Sequence, residues 1–212
     1  MILLLQYTLI FASVLILVAL GGCFAEHSGV INLGLEGIMI MGALGGALTM
    51  RYVPNTVPAI VMILAVILVS ALVGMVYSCL LAVASINFKA DQTLVGTALN
   101  LLAPALVLFF VRIIANQNTL QMQEGDAASW FMIKKTTLGF EKNADLGFLG
   151  NTLLHKVYLA TYICIILFIV LSIILYKTKF GLRLRACGEH PQAADSVGIN
   201  VYKMRYAGVV IS

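Results

Sequence analysis

The sequence predicts an all-α polytopic membrane protein, and three observations lead to this fold class. Hydrophobic residues make up 61% of the 212-residue chain and charged residues only 10%, whereas a soluble domain carries roughly a quarter charged residues. Several apolar runs exceed the ~18 residues that mark a membrane-spanning helix. The net charge of +4 is then explained by basic loops that face the cytoplasm, and no nucleic-acid partner is indicated.

Five apolar segments are expected to cross the membrane within a single transmembrane domain, residues 1–212. These spans cover residues 2–20, 29–50, 57–85, 93–111 and 157–176. A sixth apolar segment starts at residue 206, but residues 206–212 are too few to cross ~30 Å of hydrocarbon. The chain is therefore expected to be truncated at its C-terminus. The alternative for the glycine-rich second segment is a re-entrant path, which would move the N-terminus to the other side of the membrane.

Two long hydrophilic connections separate the spans. Residues 113–156 form an external loop of about 44 residues, which is too long for a simple connector. Within this loop, aromatic residues followed by lysines are typical of a segment at the membrane interface, namely Trp130, Phe131, Lys134 and Lys135. Residues 177–205 contain six basic residues against two acidic ones, which is typical of a cytoplasmic loop.

A short helix is predicted inside the basic loop 177–205. Pro191 suits the first position of a helix, and Gly198 suits its C-terminal stop. Residues 192–197 then form about two turns. A small rigid helix at the surface of a membrane protein indicates an element that transfers force to a soluble partner.

The second segment carries the one acidic residue that lies deep within an apolar run, Glu36. A carboxylate within a bilayer usually faces a cavity or a partner, and Asn32 lies four residues earlier on the same helical face. Two roles are open for Glu36: contact with a transported solute, or a hydrogen bond that locks two helices together. The neighbouring Asn32 favours the first.

Polar residues also recur at a spacing of four along the fourth segment. They form one face with two threonines beside it, namely Gln92, Gly96 and Asn100 with Thr93 and Thr97. Pro104 cannot donate a hydrogen bond to the carbonyl of Asn100, which is thereby left free at a kink. Uncharged groups of this kind suit a hydrogen-bonding solute such as a nucleoside or a sugar. The alternative is an ordinary interhelical amide hydrogen bond.

Catalysis and metal binding are not indicated anywhere in the sequence. The chain lacks a Walker A loop, so it is not expected to hydrolyse ATP. Its four cysteines form no CxxC pair, and its three histidines have no companions at metal-ligand spacing. We therefore expect no catalytic residue, no metal site and no cofactor in this chain, with the energy supplied by a partner subunit.

Three stretches of the sequence resemble the permease subunits of bacterial ABC importers, in the branch that serves nucleosides, simple sugars and branched-chain amino acids. They are EHSGVINLGLEG at 26–37, NFKADQ at 87–92 leading to Gly96 and Asn100, and RACGE at 185–189 followed by Ala193-Ala194 and GINV at 198–201. The first two look most like the nucleoside branch, in which arginine usually stands at the position of His27. The stretches occur in the family's order and cover most of residues 26–205.

The resemblance implies a multi-pass permease of the bacterial inner (plasma) membrane, with the larger, vitamin-B12-type helical arrangement. It implies a paralogous heterodimer of two permease subunits that line a pathway for a small neutral solute, in the first place nucleosides. An ABC ATPase subunit would use the ATP, and an extracytoplasmic substrate-binding protein would deliver the solute. Simple sugars or branched-chain amino acids are the alternative solutes, and an ATPase-independent secondary transporter or channel is the alternative class.

The resemblance and the residue chemistry together assign two groups of residues to function. Those expected to couple the chain to the ATPase are Gly188, Glu189, Pro191, Ala193, Ala194, Asp195 and Gly198, with the two alanines small enough to seat in a groove. Those expected along the substrate pathway are Asn32, Glu36, Gln92, Thr93, Thr97 and Asn100. With the coupling loop 177–205 in the cytoplasm, five crossings place the N-terminus outside, residues 86–91 inside and residues 113–156 outside.

Overall fold

The computed structural model describes residues 2–54, 57–116, 119–120, 132–133 and 157–212. These residues form a bundle of α-helices with one two-residue strand pair. The helices are α1 (Ile2–His27), α2 (Leu35–Tyr52), α3 (Ala59–Ala82), α4 (Gln92–Ala115), α5 (Leu159–Lys177), α6 (Lys179–Glu189), α7 (Pro191–Ser196) and α8 (Val201–Ile211). A π-helical turn, Val83–Asn87, extends α3, and strands β1 (Met132–Ile133) and β2 (Val157–Tyr158) pair antiparallel.

Four helical stretches in the described part of the chain are long and apolar enough to cross a membrane, judged by length and composition. They are Leu3–His27, Ile60–Asn87, Gln92–Ala115 and Leu159–Lys177. The helical membrane fold class predicted from composition is thereby confirmed. The first helix continues to His27, beyond the expected end at residue 20, because its C-terminal stop is Gly29 at φ +83° and not the Gly21-Gly22 pair.

The second predicted segment differs most from its expected bounds. Its helix α2 begins at Leu35, because residues 28–34 form a turn that joins α1 to α2. The 18 residues of α2 span about 27 Å and run antiparallel to α3. Gly74 lies against Ile38, and Gly42 lies against Ser70, so the two helices remain in contact along their length. The helical part of the segment is therefore one continuous helix that packs along α3, and it is not among the four stretches that are long and apolar enough to cross a membrane.

The close approach of α2 and α3 depends on small residues. A Cβ atom at Gly46 would lie 2.6 Å from Ser70 Oγ, and one at Gly45 would lie 2.9 Å from Val73 Cγ2. Small residues at such positions allow helix backbones to pack closely where no hydrophobic effect drives association. This explains why α2, the least apolar of the long helices, is rich in glycine.

One end of the bundle collects the connections 28–34, 87–91 and 178–200, and we call it the coupling end. The C-terminal ends of α1 and α5 meet there, with the rings of His27 and Tyr176 6.2 Å apart. The Tyr206 hydroxyl in the middle of α8 donates to Asn87 Oδ1 (3.1 Å) at the end of the π-helical turn. The C-terminal ends of α2 and α4 and the N-terminal ends of α3 and α5 lie at the opposite end.

Two hydrophobic clusters hold the bundle together. The first joins α2, α3, α4 and α8 around buried residues that include Tyr77, Leu81, Leu99 and Val209. The second joins α1, α5 and α6 around Leu20, Phe24, Leu175 and Leu184. Because α6 and α8 each contribute buried side chains, the segment 177–205 is packed into the bundle at both of its ends.

The coupling loop contains more helix than the sequence predicted. The expected short helix is present as α7, with Pro191 at its start and Gly198 at φ +82° after its end. The sequence prediction missed α6, an amphipathic helix that buries Leu184 and Cys187 and exposes Arg183. Its first turn is capped by Thr178, whose Oγ1 accepts a hydrogen bond from the Gly181 N–H (3.3 Å).

The predicted interfacial segment in the external loop 113–156 lies outside the described residues. This applies to Trp130, Phe131, Lys134 and Lys135.

Candidate functional site

The three stretches of sequence that resemble the permease family meet at the coupling end. The turn 28–34, which belongs to the first stretch, is in contact with α4, α6 and α8. It packs against Gly96 of α4, Gly188 of α6 and Gly208 of α8. We call this contact region the junction.

The turn 28–34 is built by the way α1 ends. The Val30 N–H donates to the Ala25 carbonyl (3.2 Å), and the Gly29 N–H donates to the Glu26 carbonyl (2.9 Å). This pair of bonds is a Schellman motif, in which the residue at C′ adopts the left-handed conformation that glycine tolerates. The Ser28 hydroxyl donates to the Ala25 carbonyl at 2.6 Å. The chain therefore leaves α1 in one defined direction.

Glycine lets three helices touch the turn 28–34. A Cβ atom at Gly188 would collide with the His27 carbonyl, and one at Gly208 would collide with the Ser28 side chain. A Cβ atom at Gly96 would lie 2.8 Å from Leu33 Cβ and 3.1 Å from the Gly34 nitrogen. Each contact involves backbone or Cβ atoms that cannot swing aside, so even alanine is excluded at Gly188 without movement of the helix.

Amide side chains fasten the non-helical backbone of the turn. The Ile31 N–H donates to Gln92 Oε1 (2.8 Å), and Asn32 Oδ1 accepts from the Gly34 N–H (3.0 Å). Asn32 Nδ2 donates to Ser212 Oγ (2.7 Å), and Asn32 is only 5% exposed. These amides supply partners to backbone groups that no helix satisfies.

Asn100 joins α4 to the beginning of α2. Its Oδ1 accepts from the Gly37 N–H (2.8 Å), and its Nδ2 donates to the Leu33 carbonyl (2.8 Å). The Gly37 N–H is one of the unpaired donors at the start of a helix, so Asn100 caps α2 from a neighbouring helix. Asn32, Gln92 and Asn100 form what we call the bonded set. α4 continues through Pro104 without interruption.

The other three predicted pathway residues, Glu36, Thr93 and Thr97, are exposed, and we call them the exposed set. Glu36 lies in the first turn of α2 and has no hydrogen bond or ion pair within the described ranges. The Thr97 hydroxyl donates to the carbonyls of Thr93 (2.9 Å) and Leu94 (3.1 Å) of its own helix. The Thr93 N–H donates to the capping Asp91 carboxylate (2.8 Å), which leaves the Thr93 side chain outward.

The predicted ATPase contacts divide between an exposed face and an internal one. Gln192, Ala193 and Asp195 are exposed on α7, whereas Ala194 is buried at 4% exposure. Ala193 remains a candidate for the groove of a partner, whereas Ala194 does not, because its side chain already packs within this chain. Gly188 lies inside the junction, and Glu189 and Gly198 are exposed.

α7 ends in the same way as α1. The Gly198 N–H donates to the Asp195 carbonyl (2.9 Å), and the Ile199 N–H donates to the Ala194 carbonyl (3.0 Å). The left-handed Gly198 then turns the chain toward α8, whose first turn is capped by Asn200 through the Lys203 N–H (3.0 Å). A six-residue helix gains a fixed orientation from these terminal contacts.

A small polar cavity of about 260 Å³ opens beside the junction, lined by Glu26, His27, Arg185, Gly188 and Glu189. The guanidinium of Arg185 lies 5.6 Å from the centre of the Tyr176 ring, within the range of a cation–π contact. His27 Nδ1 donates to the Cys23 carbonyl (2.7 Å), so this histidine is held against α1. His27 is therefore part of the wall of this cavity.

Burial raises the pKa of the Cys187 thiol in α6, and the nearby positive charge of Arg205 partly offsets this effect. A thiol with a raised pKa is a weak nucleophile at neutral pH. Cys187 is accordingly a packing residue of α6 and not a reactive centre.

Sequence reasoning singled out Gly96 and Gly188 of the junction but not Gly208, and it missed what these residues contact. Ser212, one of the two partners of Asn32, is 180 residues away in the chain, and the partners of Asn100 are 63 and 67 residues away. Arg205, which lies against Gly29 and lines a groove beside α7, was not singled out. The only sequence signal for these contacts was the occurrence of glycine within each of the three resembling stretches.

Comparison with known proteins assigns a family. Residues 4–212 match the family described as the branched-chain amino acid transport system / permease component. A guanosine ABC transporter permease protein of Bacillus subtilis, NupQ, is 43% identical over 97% of this chain and 61% of its own length. A nucleoside ABC transporter permease protein of Lactococcus lactis, NupC, is 37% identical over 96% of this chain and 61% of its own length.

The name of a more distant relative refers to a different solute. A protein of Haloferax volcanii described as a glucose ABC transporter permease, TsgC13, is 29% identical over 98% of this chain and 58% of its own length. The chain thus spans about three fifths of the length of the curated relatives that it matches. No solved structure matches the chain significantly.

Proposed function

The chain belongs to the family of permease components of branched-chain amino acid transport systems, and we propose that it is the permease subunit of an ATP-driven importer of nucleosides. The observation that carries this proposal is the similarity, over nearly the whole chain, to one permease named for guanosine and another named for nucleosides. The family and the four apolar helices make the chain a multi-pass membrane protein of the bacterial plasma membrane.

α7 is the element on which we expect the ATPase subunit to dock. It is short, its outer face is exposed, and both of its ends are fixed by hydrogen bonds. Movement imposed on α7 would reach α6 and α8, which are packed against the turn 28–34 through Gly188 and Gly208. The turn 28–34 is itself bonded to the beginnings of α2 and α4. Through this route, ATP use by a partner subunit would move this chain, for which we expect no cofactor of its own.

The exposed set is the better candidate for contact with solute. Its hydroxyl and carboxylate groups are displayed on the surface of α2 and α4, whereas both ends of the Asn100 amide are occupied by backbone groups, one in the turn 28–34 and one in α2. In the proposed arrangement, of the larger vitamin-B12 type, this surface faces a second, paralogous permease subunit across the pathway. The opposite end of the bundle would then receive the extracytoplasmic substrate-binding protein, and the solute would be small and neutral.

Uptake measurements test this function. Cells that express the intact permease with its ATPase and binding protein should accumulate radiolabelled guanosine, and a Walker-A lysine-to-alanine change in the ATPase should abolish the accumulation. Excess unlabelled adenosine or uridine should compete for uptake, whereas glucose and leucine should not. Accumulation that persists with the inactive ATPase would instead support a secondary transporter.

Simple sugars are the second candidate solute, because one relative is described as a glucose permease. Branched-chain amino acids are the third, because they give the family its description. The same competition experiment separates them: glucose or leucine would displace labelled guanosine, or would be accumulated in its place.

A further inference from the structure

A groove of about 260 Å³, lined by both apolar and charged residues, separates α7 from α8 at the coupling end. Its lining residues are Pro191, Gln192, Asp195, Val201, Tyr202 and Arg205. Gln192 and Asp195 belong to the exposed face of α7, so the groove continues directly from the proposed ATPase contact. Tyr202 is 61% exposed and forms the opposite wall.

Arg205 is the unusual member of this groove. Its side chain lies on the backbone of Gly29, where an added Cβ would be 3.4 Å from Nη2 and 3.6 Å from Nε. Its Nε is buried and has no hydrogen-bond partner. Asp195 lines the same groove but makes no ion pair with Arg205 across the portion of the chain that is described. Because Nε is enclosed, an acceptor from outside can reach this guanidinium only through its Nη groups, on the side where Arg205 lines the groove. An arginine without a carboxylate partner among the described residues can offer these Nη donors to a carboxylate of another protein.

The charge around the groove indicates what kind of partner it would be. The groove itself holds one cation, Arg205, and one anion, Asp195, with the exposed Lys203 close to Arg205 in the chain. The segment 177–205 as a whole carries six basic residues against two acidic ones, which favours the approach of acidic groups to this end of the bundle. A guanidinium fits a carboxylate better than any other protein group, because its N–H donors match two carboxylate oxygens.

We propose that this groove receives an acidic side chain of the ATPase subunit that docks on α7, and that Arg205 is its charge partner. The inference rests on the proposed function, because it requires an ATPase at α7. It adds a specific recognition contact beside the helix: α7 supplies the surface, and Arg205 supplies the charge. Because Arg205 also lies on Gly29, the bound carboxylate would be linked directly to the turn 28–34.

The test compares two variants on the same helix that remove the same charge. Arg205→Gln removes the groove cation, and Lys203→Gln removes an exposed cation of α8 outside the groove. The intact permease is placed in nanodiscs of uncharged phosphatidylcholine, and the Kd of its purified ATPase is measured at low and high salt. Arg205→Gln should weaken binding by about tenfold or more, and Lys203→Gln by no more than about twofold. Equal effects of the two variants would overturn the proposal.

If Arg205→Gln does not fold, a second pair of variants tests whether the groove receives an acidic side chain. Gln192 is exposed at the edge of the groove, so its substitution leaves the packing of the bundle intact. Gln192→Glu should weaken ATPase binding through repulsion of the incoming carboxylate, and Gln192→Lys should strengthen it. Shifts in the same direction, or no shift, would refute an acidic occupant.

Two controls separate this inference from its premise and from the main alternative. Ala193→Trp should block docking on α7; if it leaves ATPase binding unchanged, the premise fails. If Ala193→Trp blocks binding while Arg205→Gln does not, the groove inference alone fails. Repetition in nanodiscs that contain phosphatidylglycerol tests anionic lipid as the occupant. An Arg205→Gln effect seen only with that lipid would reassign the groove to headgroups.

Discussion

The bonded set and the exposed set lie on the same two stretches of chain, yet their polar atoms are used in opposite ways. The amides of the bonded set are directed inward and pair with backbone groups of residues 31–37 and with Ser212. The exposed set is directed outward: the Thr97 hydroxyl bonds only within its own helix, and the Glu36 carboxylate has no partner among the described residues. Polar residues in a membrane protein therefore fall into two groups, those that hold the fold and those that are available to a partner.

The physical cause of the division is the turn 28–34. This stretch is not helical, so those of its N–H and C=O groups that are buried against neighbouring helices need partners. Amide side chains carry both a donor and an acceptor, so a single residue can satisfy two backbone groups. Hydroxyl and carboxylate groups on the outer faces of regular helices have no such task.

The adjacent alanines of α7 provide the largest contrast between inward and outward positions. Ala194→Trp forces an indole into a buried site, and we expect a loss of about 3 kcal/mol or more of folding stability, with little protein recovered. Ala193→Trp lies on the exposed face and should leave stability within about 0.5 kcal/mol. Thermal unfolding in detergent measures both. Similar stability of the two variants would show that α7 is not packed as the structure has it.

Replacement of Asn100 tests the bonded set. Asn100→Leu removes two hydrogen bonds and leaves the Gly37 N–H and the Leu33 carbonyl without partners, so stability should fall by about 1 to 3 kcal/mol. Thr97→Val is the matched control on the same helix and should change stability by less than about 0.5 kcal/mol. If Asn100→Leu instead kept full stability and lost only solute uptake, Asn100 would belong to the pathway.

Changes in the exposed set should affect solute uptake and leave folding stability unchanged. Glu36→Gln keeps the size of the side chain and removes its charge, so folding stability should stay within about 0.5 kcal/mol. If the exposed set faces the pathway, Thr93→Val should raise the apparent KM for guanosine uptake without a change in permease abundance. Quantified membrane immunoblots with uptake at several guanosine concentrations make this measurement. A fall in abundance would place Thr93 with the bonded set.

The reactivity of Cys187 gives the smallest expected effect. Burial raises its thiol pKa, so less thiolate is present at pH 7 and its reaction with a small maleimide should be several-fold slower than that of Ala193→Cys. The rate should increase as the pH rises toward the raised pKa, because the thiolate is the reactive form. Arg205→Gln removes the nearby positive charge that lowers this pKa and should slow the reaction further. An unchanged rate would mean that Arg205 does not lie near Cys187.

Much of the fold follows from the sequence. The long helices are predicted by apolar runs, and α7 is predicted by Pro191 and Gly198, because both residues act through local backbone geometry. The amphipathic α6 was missed because its charged residues suggested a solvated loop. Its buried face, which includes Leu184, becomes apparent only when the packing partners on α1 and α5 are known.

Much less of the candidate site could be predicted. The spacing of four along α4 correctly placed Gln92, Gly96 and Asn100 on one face, but a spacing does not reveal what the face contacts. Gly96 meets the turn 28–34, whereas Thr93 and Thr97, one position further along the chain, are exposed. The contacts join residues far apart in sequence, and they exist because glycines allow backbones to approach. Neither feature has a local signature.

ATP-driven import requires the segment 177–205 to face the cytoplasm, where an ATPase can reach α7. Single cysteines at Ser196 in the segment and at Thr119, past the end of α4, test this orientation in a background without native cysteines. A membrane-impermeant maleimide on intact cells or spheroplasts should label Thr119→Cys and should label Ser196→Cys only after the membrane is opened. Labelling of Ser196→Cys from outside, with Thr119→Cys protected, would invert the bundle and contradict an ATPase docked at the coupling end.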